Sequence, residues 1–197
     1  LKGLKDNLNP QVDQQQAVEM LAQHLITRPV FDALFKDYSF SESNPVSVSM
    51  QQMLDLLDLE RLDKEQVELE SFYRSVRMRA EGNTDAAAKQ DIVKDLYETF
   101  FRSAFKEMAD RLGIVYTPVE IVDFILNSAD GAIREHFGKG ITDEGVHVLD
   151  PFTGTGTFIV RLIQSGLIRP EDLERKFRYE LHANEIVLLA YYVAAIN

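Results

Sequence analysis

Apolar residues recur at helical spacing along the first part of the chain. Residues 11–37 carry two such stripes, and Pro29 separates them, so two helices are predicted rather than one. A polar loop is expected over residues 39–44. Within it, Asn44 and the following Pro45 suit the cap and the first turn of the next helix.

Further apolar stripes predict helices over residues 50–57, through residues 67–76 and over residues 86–112, with Gly113 as a C-terminal cap. Their Met and Phe residues stand at the spacing that a helical core requires. They are therefore interpreted as core positions rather than as a ligand site. On this pattern, residues 1–113 are expected to form an all-helical domain.

A different pattern begins with a short extended segment, residues 114–116. The next four residues have the form of a capping box, with Thr117 as the cap, Pro118 as the first helical residue and Glu120 three residues after the cap. The helix is expected to fade between residues 136 and 140. The side chains predicted to face inward are Val119, Val122, Ile125 and Leu126.

A strand, a glycine turn and a helix follow one another in the centre of this second part. Residues 146–150 form an apolar run that ends in Asp150, the pattern of a short buried strand. Gly154 and Gly156 then alternate with threonines, and helical spacing resumes to about Gly166. This order is the first half of a nucleotide-binding α/β unit, in which glycines allow a ligand to approach the backbone.

The glycine turn does not complete the common phosphate-binding patterns. Because residue 159 is isoleucine, the dinucleotide fingerprint G-x-G-x-x-G fails, and no G-x-x-x-x-G-K-[ST] loop occurs in the sequence. What remains at the strand end is the carboxylate of Asp150. It is placed to accept hydrogen bonds from a cationic or hydroxylic ligand.

A second strand and a final apolar helix complete the pattern. Residues 177–185 predict a strand that ends in Glu185, and residues 186–196 predict a helix that is apolar on almost every side. The alternation favours a parallel sheet, so the predicted fold class is α/β preceded by an all-α region. Ligands of open α/β sheets lie beyond the carboxyl ends of the strands, so Asp150 and Glu185 are expected side by side over one crevice.

The composition limits the class of protein and the kinds of site that are possible. The chain has 197 residues, of which 45% are hydrophobic and 27% are charged, as in ordinary globular proteins. It contains no cysteine, which excludes disulfides and thiolate metal sites, and no apolar run approaches the ~20 residues of a membrane span. A cytoplasmic location is expected. The net charge of −11 argues against a broad phosphate-binding surface. Since the chain starts with leucine and stops within a predicted helix, a fragment of a longer polypeptide is expected.

Three segments resemble the motifs of one enzyme class. Residues 150–156, Asp-Pro-Phe-Thr-Gly-Thr-Gly, resemble motif I of the S-adenosylmethionine-dependent DNA methyltransferases, whose common form is Asp-Pro-Phe-x-Gly-Ser/Thr-Gly. Residues 116–118 resemble motif X and residues 184–185 resemble motif II, in the order of the γ-type N6-adenine enzymes. With its helical first part, the chain resembles the single-polypeptide type I-like (type ISP) restriction–modification enzymes. In these, a helical coupler joins a nuclease and a helicase to the methyltransferase.

This resemblance implies S-adenosylmethionine as the cofactor, with Thr117 at the methionine carboxylate, Asp150 at the methionine amino group and Glu185 at the ribose. It implies DNA as a partner, held through other parts of the parent protein, and helicase and nuclease domains of the same polypeptide as further partners. Residues 1–113 would be the coupler and residues 114–197 the first part of the methyltransferase domain. The implied cofactor-binding residues are Tyr116, Thr117, Pro118, Asp150, Pro151, Phe152, Thr153, Gly154, Thr155, Gly156, Asn184, Glu185 and Ile186.

The catalytic motif of this class has no counterpart in the sequence. That motif, Asn/Asp-Pro-Pro-aromatic, holds the target amino group and stacks the flipped base, and the chain contains no Pro-Pro pair. No catalytic residue is therefore assigned. The chain is expected to bind cofactor without transferring a methyl group.

Plainer interpretations of the same residues stay open. Asp150 also fits an ordinary turn residue, Glu185 a helix start favoured by the helix dipole, and Thr117 a simple cap. The chain would then be an interaction module that docks helicase or nuclease domains. A third hypothesis keeps the methyltransferase and replaces DNA by RNA or a protein amide. No metal site is predicted, because the four histidines show no ligand spacing: His24, His136, His147 and His182.

Overall fold

The computed structural model describes three stretches of the chain and a few positions between them, namely residues 5, 10–34, 39–56, 73–75, 78 and 117–197. The chain divides into two compact units, Leu1–Asp95 and Leu96–Asn197. Several sequence expectations lie outside the described residues. These are the long helix over residues 86–112, its cap at Gly113, and Tyr116 of the motif X segment.

In the first unit, one long helix replaces the two that the sequence predicted. Helix α1 is Gln14–Leu34, and Pro29 lies inside it. Proline removes a helical hydrogen bond, yet Val30 and Phe31 directly after it are buried. The prediction of a break at Pro29 was wrong, because the packing of this segment outweighs the local penalty.

The stretch predicted as a polar loop, residues 39–44, contains a short helix instead. Helix α2 is Phe40–Ser43. Phe40 is buried, and its ring centroid lies 5.3 Å from that of Phe31 on α1. The loop prediction was therefore wrong, because one aromatic contact draws this polar stretch against the longer helix.

The predicted cap of the next helix is confirmed. Helix α3 is Pro45–Asp55, and Asn44 precedes it. Oδ1 of Asn44 accepts the backbone N–H groups of Val46 (3.1 Å) and Ser47 (3.0 Å), so it satisfies two donors of the first turn. The α3 side chains that are buried as predicted are Met50 and Leu54.

The elements of the second unit alternate between helix and strand. They are α4 (Val119–Phe137), β1 (Val148–Asp150), α5 (Thr157–Gln164), a 3-10 turn (Pro170–Asp172), α6 (Leu173–Arg175), a π-helical turn (Lys176–Glu180), β2 (Leu181–Ala183) and α7 (Leu188–Ile196). The two strands pair in parallel, with Asp150 opposite Ala183. The predicted class, an all-helical region followed by a parallel α/β fold, is confirmed. Within the described stretches, none of the helices has the length and apolar character needed to cross a membrane.

Helix α4 begins later than predicted and lacks the capping box. Pro118 is its N-cap, with no side-chain bond to the first-turn N–H groups, so Thr117 lies outside the helix. The box was wrong because the extended backbone of Pro118 moves the helix start past Thr117. Val122 and Leu126 are buried as predicted, but Ile125 is 43% exposed because it points away from the core side of the helix.

The core of the second unit lies where α4, α5 and the sheet meet. Arg161 of α5 donates two hydrogen bonds to Asp123 of α4, from Nε (2.8 Å) and Nη2 (2.6 Å). This bidentate pair holds the pKa of Asp123 below its usual value. The ion pair thus fixes α5, which follows the glycine turn, against α4. The buried core residues are Val122, Leu126, Ile141, Leu162 and Ile168.

Strand β2 is shorter than predicted because a π-helical turn takes the place of its first half. The turn is built around Lys176, which is fully buried and pairs with Glu180 at 2.8 Å. Nζ of Lys176 also donates to the backbone oxygens of Asp143 (2.8 Å) and Val146 (2.7 Å). Gly145 donates its N–H to Glu180 at 2.7 Å. This network ties the loop before β1 to the turn before β2, and so sets the register of the two strands.

Candidate functional site

Asp150 ends β1, and none of the described residues brings a donor to one of its carboxylate oxygens. Its Oδ1 accepts the N–H of Phe152 at 3.3 Å, whereas Oδ2 is buried and has no hydrogen-bond partner among the residues that the structure describes. Burial raises the pKa of Asp150, and the bond from Phe152 offsets only part of this. A buried acceptor without a donor is unfavourable, so a ligand that brings a donor to Oδ2 would be stabilised there.

The two glycines of the turn have different surroundings. Both have positive φ, +57° at Gly154 and +88° at Gly156, which favours glycine at each. A Cβ on Gly156 would lie 3.3 Å from the Cα and Cβ of Ala194 in α7, whereas a Cβ on Gly154 would meet no atom of the described residues within 4 Å. Gly156 therefore allows α7 to pack closely, and Gly154 is the glycine with open space in front of its backbone.

Several hydrogen bonds join the glycine turn to the residues that follow β2. Asn184 N–H lies 2.9 Å from the backbone oxygen of Asp150 and 3.1 Å from Oγ1 of Thr153. In return, Thr153 donates its N–H to the backbone oxygen of Asn184 at 3.1 Å and its hydroxyl to that of Asp150 at 2.9 Å. The Asn184 side chain donates to the Pro151 oxygen at 3.2 Å. The motif I and motif II segments are thus one hydrogen-bonded unit.

Glu185 lies at the same end of the sheet as Asp150, and its carboxylate is occupied by backbone donors. Oε2 accepts the N–H of Gly154 and Oε1 accepts the N–H of Val187, both at 2.7 Å. The two predicted site carboxylates therefore differ. Glu185 is held by the chain itself, whereas Asp150 keeps an open oxygen.

Two large apolar side chains stand out from the segments of the site. Phe152 is 89% exposed and Ile186 is 68% exposed. In each case the next residue, Thr153 or Val187, has a hydrogen-bonded backbone N–H. Thr117 is half-buried just ahead of α4. Both apolar side chains are therefore accessible to a ligand at this end of the sheet.

Family models and known structures match both units. The model described as type ISP restriction-modification enzyme, coupler domain, matches residues 1–88, and the model described as N-6 DNA methylase matches residues 88–197. The structure of the ATP-dependent type ISP restriction-modification enzyme LlaBIII bound to DNA is 52% identical over 98% of this chain, with a TM-score of 0.81. The chain belongs to the type ISP restriction–modification enzymes. The family predicted from its motifs is confirmed, and the second unit is part of the methyltransferase region of such an enzyme.

Two further structures resemble this type ISP chain over 99% of its length. One is a nuclease-deletion mutant of the type ISP enzyme LlaGI in complex with a DNA substrate mimic, at 51% identity and a TM-score of 0.81. The other is a DrdV–DNA complex, at 37% identity and a TM-score of 0.82. The chain spans 14%, 18% and 19% of the LlaBIII, LlaGI and DrdV chains. No curated protein matches it. The domain division after residue 113 stays a prediction.

Sequence reasoning missed some side chains that hold the site of this type ISP chain. Asn197 donates from Nδ2 to the backbone oxygen of Thr155 at 2.8 Å, and nothing in the sequence pointed to that contact. Lys176 and Glu180, which set the strand register, do carry a signal. They stand four residues apart, at the spacing of helical ion pairs, on either side of residue 177, where the second strand is predicted to start.

The parallel pairing also brings together two of the four histidines. Nδ1 of His147 lies 3.0 Å from Nε2 of His182, and the exposed rings stack with centroids 5.3 Å apart. Their separation of 35 residues hid this contact at the level of sequence. Over the described part of this type ISP chain, no group of three or more His, Cys, Asp or Glu residues is arranged to hold a metal ion.

Proposed function

We propose that the second unit binds S-adenosylmethionine and serves as the cofactor-binding part of a DNA adenine-N6 methyltransferase. The observation that carries this proposal is Oδ2 of Asp150, a buried and unpartnered acceptor at the end of β1. A cationic donor suits this oxygen, because hydrogen bonds that involve ionised groups are about twice as strong as those between neutral groups. The amino group of a methionine moiety is such a donor.

Other residues of the site fit the remaining parts of the same molecule. Glu185 would accept the ribose hydroxyls, since a carboxylate offers about four acceptor positions and two backbone N–H groups use only part of them. Thr117, at the N-terminal end of α4, would receive the methionine carboxylate. Phe152 and Ile186 would lie against apolar parts of the ligand. The open side of Gly154 would let it approach the backbone.

The proposed reaction of the parent enzyme is methyl transfer to N6 of adenine in DNA. The cofactor, when bound, supplies the methyl group. The contribution of this chain is to hold and orient it, and orientation of two reactants is itself a large part of catalysis. The sequence has no Pro-Pro pair for the catalytic Asn-Pro-Pro-aromatic motif, so we expect no methyl transfer by these residues alone.

Calorimetric titration with S-adenosylmethionine tests the proposal, with Asp150→Asn as the diagnostic variant. Asparagine keeps the shape and the acceptor toward Phe152 but removes the charge. We expect the affinity to fall about tenfold or more, in line with the loss of a bond between charged groups. We also expect the free energy of unfolding to change little, because the gain from removing a partly buried charge is offset by an amide NH2 group at a position without an acceptor.

The matched control is Glu135→Gln, the same neutralisation on an exposed residue of α4. It should leave both the affinity for S-adenosylmethionine and the free energy of unfolding unchanged. A folded parent chain that does not bind S-adenosylmethionine, or an Asp150→Asn chain that binds it equally well, would overturn the proposal. The second outcome would favour the interaction-module hypothesis, in which the α/β unit is a scaffold.

A further inference from the structure

Both oxygens of Glu185 are engaged by the backbone of the chain itself. Oε2 accepts from Gly154, in the middle of the glycine turn, and Oε1 accepts from Val187, the N-cap residue of α7. At 2.7 Å, both are short bonds to an ionised acceptor, which are the strong kind. One carboxylate therefore joins the turn after β1 to the start of the helix after β2. We call this pair of bonds the Glu185 clasp.

The clasp restrains the middle of the glycine turn together with two other bonds. Gly156 donates its N–H to the backbone oxygen of Thr153 at 3.0 Å, and Nδ2 of Asn197 donates to the backbone oxygen of Thr155 at 2.8 Å. Gly154 has positive φ, and among the residues that the structure describes no atom lies near its open side, so side-chain packing does not restrain it. The Glu185 clasp holds the N–H of Gly154, directly beyond the strand end that carries Oδ2 of Asp150.

We propose that Glu185 is a positioning residue of the site, which holds the glycine turn in its binding shape before any ligand arrives. Its effect on binding would then reach every ligand that uses Asp150, including those without a hydroxyl for Glu185 to accept. The identity of the ligand rests on the proposed function, but the clasp is a property of the free chain. The two can therefore be tested separately.

Amide hydrogen exchange on the ligand-free chain tests the clasp itself. In the unaltered chain, the amides of Gly154 and Val187 should exchange at least about tenfold more slowly than in an unfolded peptide, because each donates to a charged acceptor. Glu185→Gln should speed up at least one of the two amides about tenfold, since the glutamine oxygen can still accept from one donor but the NH2 group cannot accept from the other. Amides in the core of α4, such as Val122 and Leu126, should not change. The amide that keeps the glutamine oxygen as its acceptor should change less than the other.

The control variant is again Glu135→Gln, which should leave all of these rates as they are. An unprotected Gly154 amide in the unaltered chain would overturn the proposal without any substitution, even if Glu185→Gln failed to fold. Unchanged exchange at Gly154 and Val187 in a folded Glu185→Gln chain would overturn it as well.

A pair of ligands then separates positioning from direct contact. S-adenosylmethionine and its analogue without the 2′ and 3′ ribose hydroxyls are titrated into the parent and Glu185→Gln chains. A positioning role predicts that the substitution weakens the analogue about tenfold. It should weaken S-adenosylmethionine at least as much, because that ligand also loses the contact with its hydroxyls. A loss confined to the hydroxylated ligand would overturn it and leave Glu185 with a contact role only. If the parent chain binds neither ligand, the proposed function fails, while the exchange rates still decide the clasp.

Discussion

The ionised carboxyl group of Asp150 destabilises the ligand-free protein and would be stabilised by a cationic ligand. Burial raises its pKa, which means that the folded chain binds a proton at Asp150 more readily than the unfolded chain does. Its charge therefore opposes folding at neutral pH, and the penalty disappears as the pH falls below the raised pKa. A residue that weakens the fold in this way is typical of a binding site rather than of a structural turn.

The two glycines of the turn should respond differently to alanine. In Gly154→Ala, we expect a loss of about 1 kcal/mol from the positive φ alone, because the new methyl group meets no atom. In Gly156→Ala, we expect roughly twice that loss or more, because the methyl group also presses on Ala194. Urea unfolding measures both losses. By contrast, S-adenosylmethionine affinity should fall more in Gly154→Ala, since that methyl group would occupy the open side of the turn. Equal losses of stability would contradict this division of roles.

At the scale of elements, the π-helical turn before β2 determines where the site carboxylates stand. Burial alone would raise the pKa of Glu180, but the bonds from Lys176 and Gly145 and the charge of Arg175 outweigh it and lower the pKa from 4.5 to about 2. The ionised form is thus favoured by folding. Its contribution to stability is fully present above pH 4.5 and is lost as the pH falls toward 2. Between pH 4.5 and about pH 2, acid should therefore weaken the contacts of Glu180 that tie the loop before β1 to the turn before β2.

Lys176→Met should be strongly destabilising. It removes the buried ammonium group that pairs with Glu180, and it removes the lysine donor from the backbone oxygens of Asp143 and Val146. Breaking a buried pair of this kind costs about 3–5 kcal/mol. The measurement is urea unfolding at pH 7, followed at the second unit.

The matched control lies in the same stretch of chain. Arg178 pairs with Glu174 four residues away, but the two side chains are 61% and 79% exposed. Arg178→Met should therefore change the free energy of unfolding by less than about 1 kcal/mol. Similar effects of Lys176→Met and Arg178→Met would contradict a structural role for the buried pair.

At the scale of the whole molecule, the sequence predicted most of what depends on near neighbours and missed what depends on distant ones. The glycine turn and the cap at Asn44 rest on a few adjacent residues, and both were confirmed, whereas the capping box at Thr117 was not. The first strand is present but is shorter than predicted, and Leu149 within it is 64% exposed rather than buried. The break at Pro29 and the full-length second strand were wrong, because burial against distant residues decides both. The partner oxygens of Lys176 lie 33 and 30 residues away in the chain.

In the candidate site, too, the sequence predicted the positions of the residues but not their long-range contacts. Asp150 and Glu185 could be assigned to the carboxyl ends of two strands from the pattern alone, because parallel strands place those ends at one edge. Which of their oxygens stays open could not be predicted. That depends on the backbone N–H groups of Gly154 and Val187, whose directions follow from the turn and the strand register.

The charge of the molecule argues against DNA affinity in this chain. Binding to DNA rests largely on neutralising phosphates with lysine and arginine, and proteins built for it bind even non-specific DNA with a Kd of about 10⁻⁴ to 10⁻⁶ M. This chain carries 32 acidic and 21 basic residues, a net charge of −11. We therefore expect no binding of duplex DNA by fluorescence anisotropy at micromolar protein and 150 mM salt, with or without S-adenosylmethionine. Micromolar binding that weakens steeply with salt would contradict this, because it would require a basic surface strong enough to overcome the net charge.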